Sequence, residues 1–343
     1  MSVYANAFAT SNETKCKKYI KHTMTQSSAC EMENYSDYAK DAFSPINYKD
    51  YKIGMTICYD CNHAIFSRMY GLNDVDIIIN STGGNVVYDK WYKYNKVRAI
   101  ENKCFTFVTM GGDGTGKNPN CYVYGFSPNG KELTPYILGK NNSQRRNLSG
   151  SVYVYDTSSD DGNCEIDSSV LQAASVNKKK HLYIDSEQID SFIQSGERIK
   201  KNLYIVKHND INIVLPVLDK DEIMKPEIFL KLLYAKELKK YNNKKYIIIN
   251  KWQYVDKIFY ETKLSLVLKV RSMENYCAVI ISSNNINQCF QCGMNRTAQV
   301  VQKENGKYGL DLNRTGGPET IWRNKEGMKA SWRNNIEWLI DTM

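Results

Sequence analysis

A chain of 343 residues that is 42% hydrophobic and 24% charged can bury one large core or two smaller ones, and it is too apolar for a long structureless polymer. No run approaches the roughly 20 apolar residues that span a bilayer, and no apolar stretch follows a basic start, so a cytoplasmic protein with no membrane partner is expected. The formal net charge of +9 permits attraction to nucleic acid. However, Lys178 to Lys180, Lys200-Lys201 and Lys239 to Lys245 read as solvated faces, and the 25 tyrosines follow no regular basic-aromatic spacing, so nucleic acid is the weakest of the partner classes considered.

Residues 1 to about 50 are polar with weak periodicity, which predicts at most short strands joined by long loops. From 51 to about 155, strand-like runs at Lys52 to Cys58, Val75 to Asn80, Phe105 to Met110, Cys121 to Phe126 and Ser151 to Tyr155 alternate with helix-like segments at His63 to Tyr70 and Lys90 to Asn102. That alternation predicts an α/β class. Asp156 to Asp167, with its Ser-Ser-Asp-Asp-Gly-Asn, reads as a linker. The pattern then returns: strands at Leu182 to Ile184, Asn202 to Val206, Ile211 to Leu218, Lys245 to Asn250 and Ala278 to Ser282, helices at Pro226 to Lys240, Tyr260 to Glu274 and Met328 to Ile340. Two units are expected, 1–160 and 168–343.

The second unit echoes the first. Lys269-Val-Arg271-Ser-Met-Glu274-Asn275-Tyr-Cys277 repeats Lys96-Val-Arg98-Ala-Ile-Glu101-Asn102-Lys-Cys104 at the same internal spacing. Ile247-Ile-Ile-Asn250 answers Ile77-Ile-Ile-Asn80, and Ile228-Phe229 with Tyr234 answers Ile65-Phe66 with Tyr70. Three matches in one order point to an internal repeat. Where the first copy has Ile57-Cys58-Tyr-Asp60, the second has Val217-Leu218-Asp219-Lys220 and no thiol.

Ten cysteines scattered through a large chain without an export signal predict reduced thiols rather than a disulfide framework. Two Cys-x-x-Cys pairs, Cys58/Cys61 and Cys289/Cys292, have the donor types for a tetrahedral zinc site but lie far apart in sequence. Gly111 through Lys117 matches a Gly-x-x-x-x-Gly-Lys phosphate loop; Asn118, Pro119 and the strand that follows oppose the helix such a loop must open. Cys58 is the thiol best placed for chemistry, because it stands where an apolar strand gives way to a polar loop.

The order of Cys58-Tyr59-Asp60, Arg68, Ile77 to Asn80, Trp91, Arg98 to Asn102 and Tyr124-Gly-Phe-Ser127-Pro-Asn-Gly130 to Leu133 resembles the nucleophile region of the nitrilase, or carbon-nitrogen hydrolase, superfamily. The resemblance runs from about Ile53 to Leu133. It implies a nitrilase-like four-layer α-β-β-α sandwich, here partial or duplicated, with the second unit a degenerate copy lacking the cysteine.

The chemistry implied is attack by a cysteine thiolate on an amide or nitrile carbon, through a thioester, with no metal or organic cofactor. Cys58 takes the nucleophile's place. Lys21, in Tyr19-Ile-Lys21-His22, is the candidate for the lysine that faces the developing anion. Glu31 is either the additional glutamate that many members place after the lysine or a solvated loop acid. The primary glutamate of the family lies well upstream of its lysine, whereas 20 residues precede Lys21 and Glu13 is too close to reproduce that geometry. The base is therefore expected from another part of an assembly, a homo-oligomer or a protein partner, or the copy is partial. Two readings stand: a hydrolase of a small amide or nitrile, and a catalytically impaired module serving assembly, sensing or regulation. Arg98, Glu101, Arg271 and Glu274 are expected to anchor structure, and Asp60 to fix the turn carrying Cys58.

Overall fold

The computed structural model describes residues 4–7, 17–23, 35–83, 88–111, 122–138, 152–157, 181–293, 297–318 and 329–343. The chain divides into two compact units, Met1–Glu165 with Ala330–Met343, and Ile166–Lys329. The boundary falls inside the stretch read as a linker, while the last residues cluster with the first unit rather than continuing the second as the expected 168–343 division had it.

In the first unit the described elements begin with β1 (Tyr4–Ala7), β2 (Lys17–Ile20) and α1 (Tyr35–Ala42). They continue with β3 (Ile46–Tyr48), β4 (Tyr51–Ile57), α2 (Ala64–Gly71), β5 (Ile77–Gly83), α3 (Tyr88–Asn102), β6 (Phe105–Gly111) and β7 (Tyr122–Phe126). β1 pairs with β2. Strands β3 to β7 form one sheet in chain order. β4, β5 and β6 are parallel neighbours, and antiparallel β3 and β7 close the two edges. Two βαβ crossovers, through α2 and α3, make the parallel core. β4 is exposed at its start and buried from Gly54 to Ile57, so its carboxyl end lies within the packed interior. Gly54 lets α2 approach, because a Cβ there would meet the Tyr70 ring at 2.6 Å.

The second unit repeats this plan. Its sheet includes β8 (Leu203–His208), β9 (Ile211–Leu218), β10 (Lys244–Lys251), β11 (Ala278–Ser282) and β12 (Asn287–Cys292), again neighbours in chain order. The pairings are antiparallel, parallel, parallel and antiparallel, as in the first sheet. Ile77 pairs with Phe105 and Ile247 with Ala278, each seven residues beyond the corresponding arginine, Arg98 or Arg271. The crossovers run through α4 (Pro226–Leu233) and through a helix with a π-turn at Tyr260–Leu264 that continues as Ser265–Asn275.

The α/β class expected from the alternation holds in both units. Two helices lie where none was expected. α1 sits in the polar first 50 residues, where Ala39, Ala42 and Phe43 are buried and the helical face is short and partly aromatic. The helix Ser186–Ser195 opens with a capping box, Asp185 accepting from the Gln188 amide at 2.8 Å while Gln188 Oε1 accepts from the Asp185 amide. The expected helix Pro226 to Lys240 breaks after Leu233 and resumes as a 3-10 turn, Lys236–Lys240. Among the described residues no helix is long and apolar enough to cross a membrane.

Candidate functional site

Cys58 follows the last residue of β4 and begins a 3-10 turn, Cys58–Asn62. Its φ is +49°, the left-handed region that a residue with a Cβ enters at a cost of about 1–3 kcal/mol. Lys49, Asn209 and Asn243 share that sign of φ but are exposed turn residues, whereas Cys58 is 8% exposed. A strained, nearly buried residue at a strand end persists only where its surroundings hold it.

Three sets of contacts hold this turn. Asn80, fully buried on the neighbouring strand β5, donates Nδ2 to Thr56 Oγ1 at 2.9 Å and to the Cys58 carbonyl at 3.5 Å, and its own oxygen accepts from Thr82 Oγ1 at 2.7 Å. Arg98 of α3 donates Nε to the Cys61 carbonyl at 3.0 Å and pairs with Glu101, both side chains being essentially inaccessible. Asn102 donates back to the Arg98 carbonyl at 2.9 Å. As expected, Arg98 and Glu101 tie a helix to a loop. The same lock recurs in the second unit: Arg271 Nε reaches the Ile223 carbonyl at 3.3 Å, Nη1 pairs with Glu274 at 2.6 Å, and Asn275 donates to the Arg271 carbonyl at 3.0 Å.

Asp60 makes the third contact, and it is the one that brings Lys21 in. Its Oδ1 accepts from the Thr23 amide at 2.9 Å and the Thr23 hydroxyl at 2.6 Å. Its Oδ2 accepts from the Tyr19 hydroxyl at 2.9 Å and from the His22 and Ile57 amides at 3.4 Å. The fully buried carboxylate therefore knots the end of β2 to the turn of Cys58, and Lys21 lies in the middle of the knotted segment. Burial pushes the Asp60 carboxyl up to about 6, against the hydrogen bonds of Thr23 and Tyr19 and the Lys21 ammonium, which pull it down. His22 stacks on Phe66 at 4.7 Å and Phe43 at 5.1 Å. Burial lowers its pKa to about 3 and keeps the ring neutral, so it packs rather than shuttles protons.

The structure thus brings Cys58 and the Lys21 segment to one turn. Glu31 and Glu13 lie outside the described residues, as does most of the phosphate-loop-like stretch after Gly111. The two Cys-x-x-Cys pairs fall in different units, and among the described residues no group of three or more His, Cys, Asp or Glu side chains could hold a metal ion. Cys58, Cys61, Cys104, Cys277, Cys289 and Cys292 are all thiols, none in a disulfide. Asn80 was legible only as the last residue of an apolar strand; its role beneath Cys58 comes from strand pairing. The second unit diverges at the same place. None of Leu218, Asp219 and Lys220 has a left-handed backbone, and Asp219 accepts from the Asp221 and Glu222 amides at 2.9 Å, an ordinary side-chain-capped turn.

An Asp60→Asn change tests the knot. An amide offers one acceptor, and whichever way it turns its NH2 faces a backbone N–H, which costs about 1–3 kcal/mol. The pH dependence has a definite sign. A carboxyl whose folded pKa of about 6 exceeds the ordinary value of 3.8 binds its proton more tightly in the fold, so it stabilises at low pH and that contribution is lost as pH rises through about 6. The deficit of the variant relative to wild type is therefore expected to be larger at pH 4 than at pH 7, by up to about 3 kcal/mol. Chemical denaturation of both proteins at the two values measures it, and an equal or reversed difference would exclude the buried-carboxylate account.

A mixed sheet with parallel central strands, a strained cysteine at the carboxyl end of one of them, and a buried arginine-glutamate lock on its turn define an α/β protein with a thiol at a strand end. Residues 4–133 match the model of the carbon-nitrogen hydrolase family, and through that segment the chain is similar to the nitrilase, or carbon-nitrogen hydrolase, superfamily. The match ends at Leu133, where the sequence resemblance ends, and extends upstream past Lys21. No curated protein matches. Solved structures that match include a carbon-nitrogen hydrolase from Helicobacter pylori, 16% identical over 33% of this chain and 42% of that one, with a TM-score of 0.26. An amidase from Nesterenkonia sp. is 14% identical over 41% of this chain and 50% of its own, TM-score 0.31. A member of branch 10 of the nitrilase superfamily from Saccharomyces cerevisiae is 16% identical over 46% of each chain, TM-score 0.27. This chain spans about half the length of the solved structures it matches.

Proposed function

We propose that the first unit is a carbon-nitrogen hydrolase of the amidase or nitrilase type with Cys58 as nucleophile. The observation that carries this reading is the strained Cys58 turn with the Lys21 segment knotted to it through Asp60. A carboxylate base, supplied from another part of an assembly, takes the Cys58 proton, and the thiolate sulfur bonds to the carbon of an amide or nitrile. The Lys21 ammonium faces the oxyanion or nitrogen anion that forms. Collapse of the amide adduct expels ammonia or an amine, which takes the proton back, and leaves a thioester. Water, deprotonated by the same base, displaces the sulfur and releases the acid. Glu31 is assigned as an additional acid on the lysine's side of the site. Neither a metal nor an organic cofactor enters this scheme.

The second unit is read as a scaffold copy that keeps the sheet order and the Arg271-Glu274-Asn275 lock without a nucleophile. Asp219, held in its own turn, favours that assignment. If the first unit were equally silent, the whole chain would be an assembly, sensing or regulatory module acting with a partner.

Mass spectrometry after incubation with an electrophilic amide or nitrile probe separates the two. Labelling of Cys58 well above the other thiols is expected, and indiscriminate or absent labelling would remove the hydrolase reading. In the same assay Lys21→Met is expected to slow labelling and turnover by about 10²–10³-fold, the usual effect of losing one anion-stabilising donor. An unchanged rate in the folded variant would exclude Lys21 from that role.

A further inference from the structure

Cys61 shares the turn of Cys58, and hydrolysis gives it nothing to do. The Cα separation of residues i and i+3 is set by the two residues between them, and Tyr59 and Asp60 are in the 3-10 turn, whose three residues advance about 6 Å. That distance lies within the roughly 4.4–6.8 Å spanned by disulfides. The other Cys-x-x-Cys pair provides a contrast inside the same chain. Cys289 and Cys292 lie on strand β12, where three residues span about 10 Å and an odd separation points the side chains to opposite faces, so they cannot bond to each other.

We propose that Cys58 and Cys61 form a reversible disulfide when the protein meets a hydroperoxide, making this turn a modification site that shields the nucleophile from irreversible oxidation. The inference rests on Cys58 being the reactive thiol of the preceding section. The Cys58 thiolate attacks one peroxide oxygen, the O–O bond breaks, and an alcohol or water leaves once protonated, with Cys58 now a sulfenic acid. The Cys61 sulfur then attacks the Cys58 sulfur. The sulfenic hydroxyl departs with the Cys61 proton as water, so two thiols have given two electrons to the peroxide. A dithiol returns the pair to the reduced state by exchange.

The surroundings suit the order of these steps. Burial raises the Cys61 thiol well above its ordinary value, and the charge on Cys58 raises it further, while the Arg98 guanidinium opposes both. Cys61 is therefore held in its protonated form. Once Cys58 is a neutral sulfenic acid its repulsion is gone and Arg98 remains. Arg98 also holds the Cys61 carbonyl, which keeps that end of the pair in place.

The test treats the full-length protein with graded hydrogen peroxide and maps its thiols by peptide mass spectrometry without reduction. A Cys58–Cys61 disulfide is expected, with loss of Cys58 labelling by the amide probe and its return on adding dithiothreitol, and with Cys289 and Cys292 not joined to each other. Cys61→Ser should be labelled like wild type before oxidation. After peroxide it should carry Cys58 as a sulfinic acid that dithiothreitol does not rescue; Cys61→Ala serves if serine lowers solubility. Labelling of reduced Cys58 with no Cys58–Cys61 bond after peroxide, or full rescue of the Cys61 variants, overturns the proposal. A disulfide without any labelling of reduced Cys58 overturns the hydrolase reading and leaves the disulfide standing.

Discussion

Replacing Cys58 with alanine is expected to abolish ammonia release from small amides, by at least about 10⁴-fold, because the covalent intermediate forms on the Cys58 sulfur and burial holds the neighbouring Cys61 thiol protonated. The fold should survive, since one small side chain is lost. A second comparison separates a strained functional residue from an ordinary buried one. At a φ of +49° a Cβ is penalised, so Cys58→Gly should be more stable than Cys58→Ala by about 1 kcal/mol, the reverse of the usual order inside regular structure. Denaturant titration of the two variants measures this difference. Equal turnover in Cys58→Ala and wild type would end the nucleophile assignment; a less stable glycine variant would end the claim of strain.

Arg98→Met is expected to be the most destabilising single change in the first unit, by about 3–5 kcal/mol. The arginine and Glu101 are both excluded from solvent, and removing one leaves the other's charge buried without this ion pair. It also releases the Cys61 carbonyl, so Cys58 labelling should fall in whatever folded protein remains. Arg98→Met combined with Glu101→Leu should recover most of the stability, since a buried pair replaced by apolar groups of similar volume is often neutral. It should not recover the labelling, because the tether to the turn is still absent. Arg271→Met is expected to cost a similar amount of stability in the second unit and to leave Cys58 labelling unchanged. A double variant no more stable than the single one would show that Arg98 acts through packing rather than charge.

Much of this was legible before any fold was known. The strand at Tyr51–Ile57, the helix ending in Arg98-Ala-Ile-Glu101-Asn102 and the strands around Ile77 and Phe105 follow from apolar runs whose bounds the structure reproduces within three residues. The echo around Arg271 was visible as spacing, and its geometry proved the same, down to an arginine reaching the carbonyl of the turn after the first parallel strand. The helix beginning at Ser186 was missed although Asp185-Ser-Glu-Gln188 carries its capping signal, because the apolar residues behind it are sparse. α1 was missed because its buried residues, Ala39 and Ala42, are small and weakly hydrophobic.

What the sequence by itself determined is the kind of elements, their order and the position of Cys58 at a strand end, since these depend on local periodicity and on motifs a few residues long. Only the tertiary structure decided that Asp60 joins residues separated by some forty positions, that Asn80 lies beneath Cys58, and that the cysteine backbone is left-handed. Those facts depend on which strands become neighbours and on where a buried carboxylate finds its donors. A buried acid must be satisfied by whatever chain reaches it, and here the chain that reaches it carries Lys21.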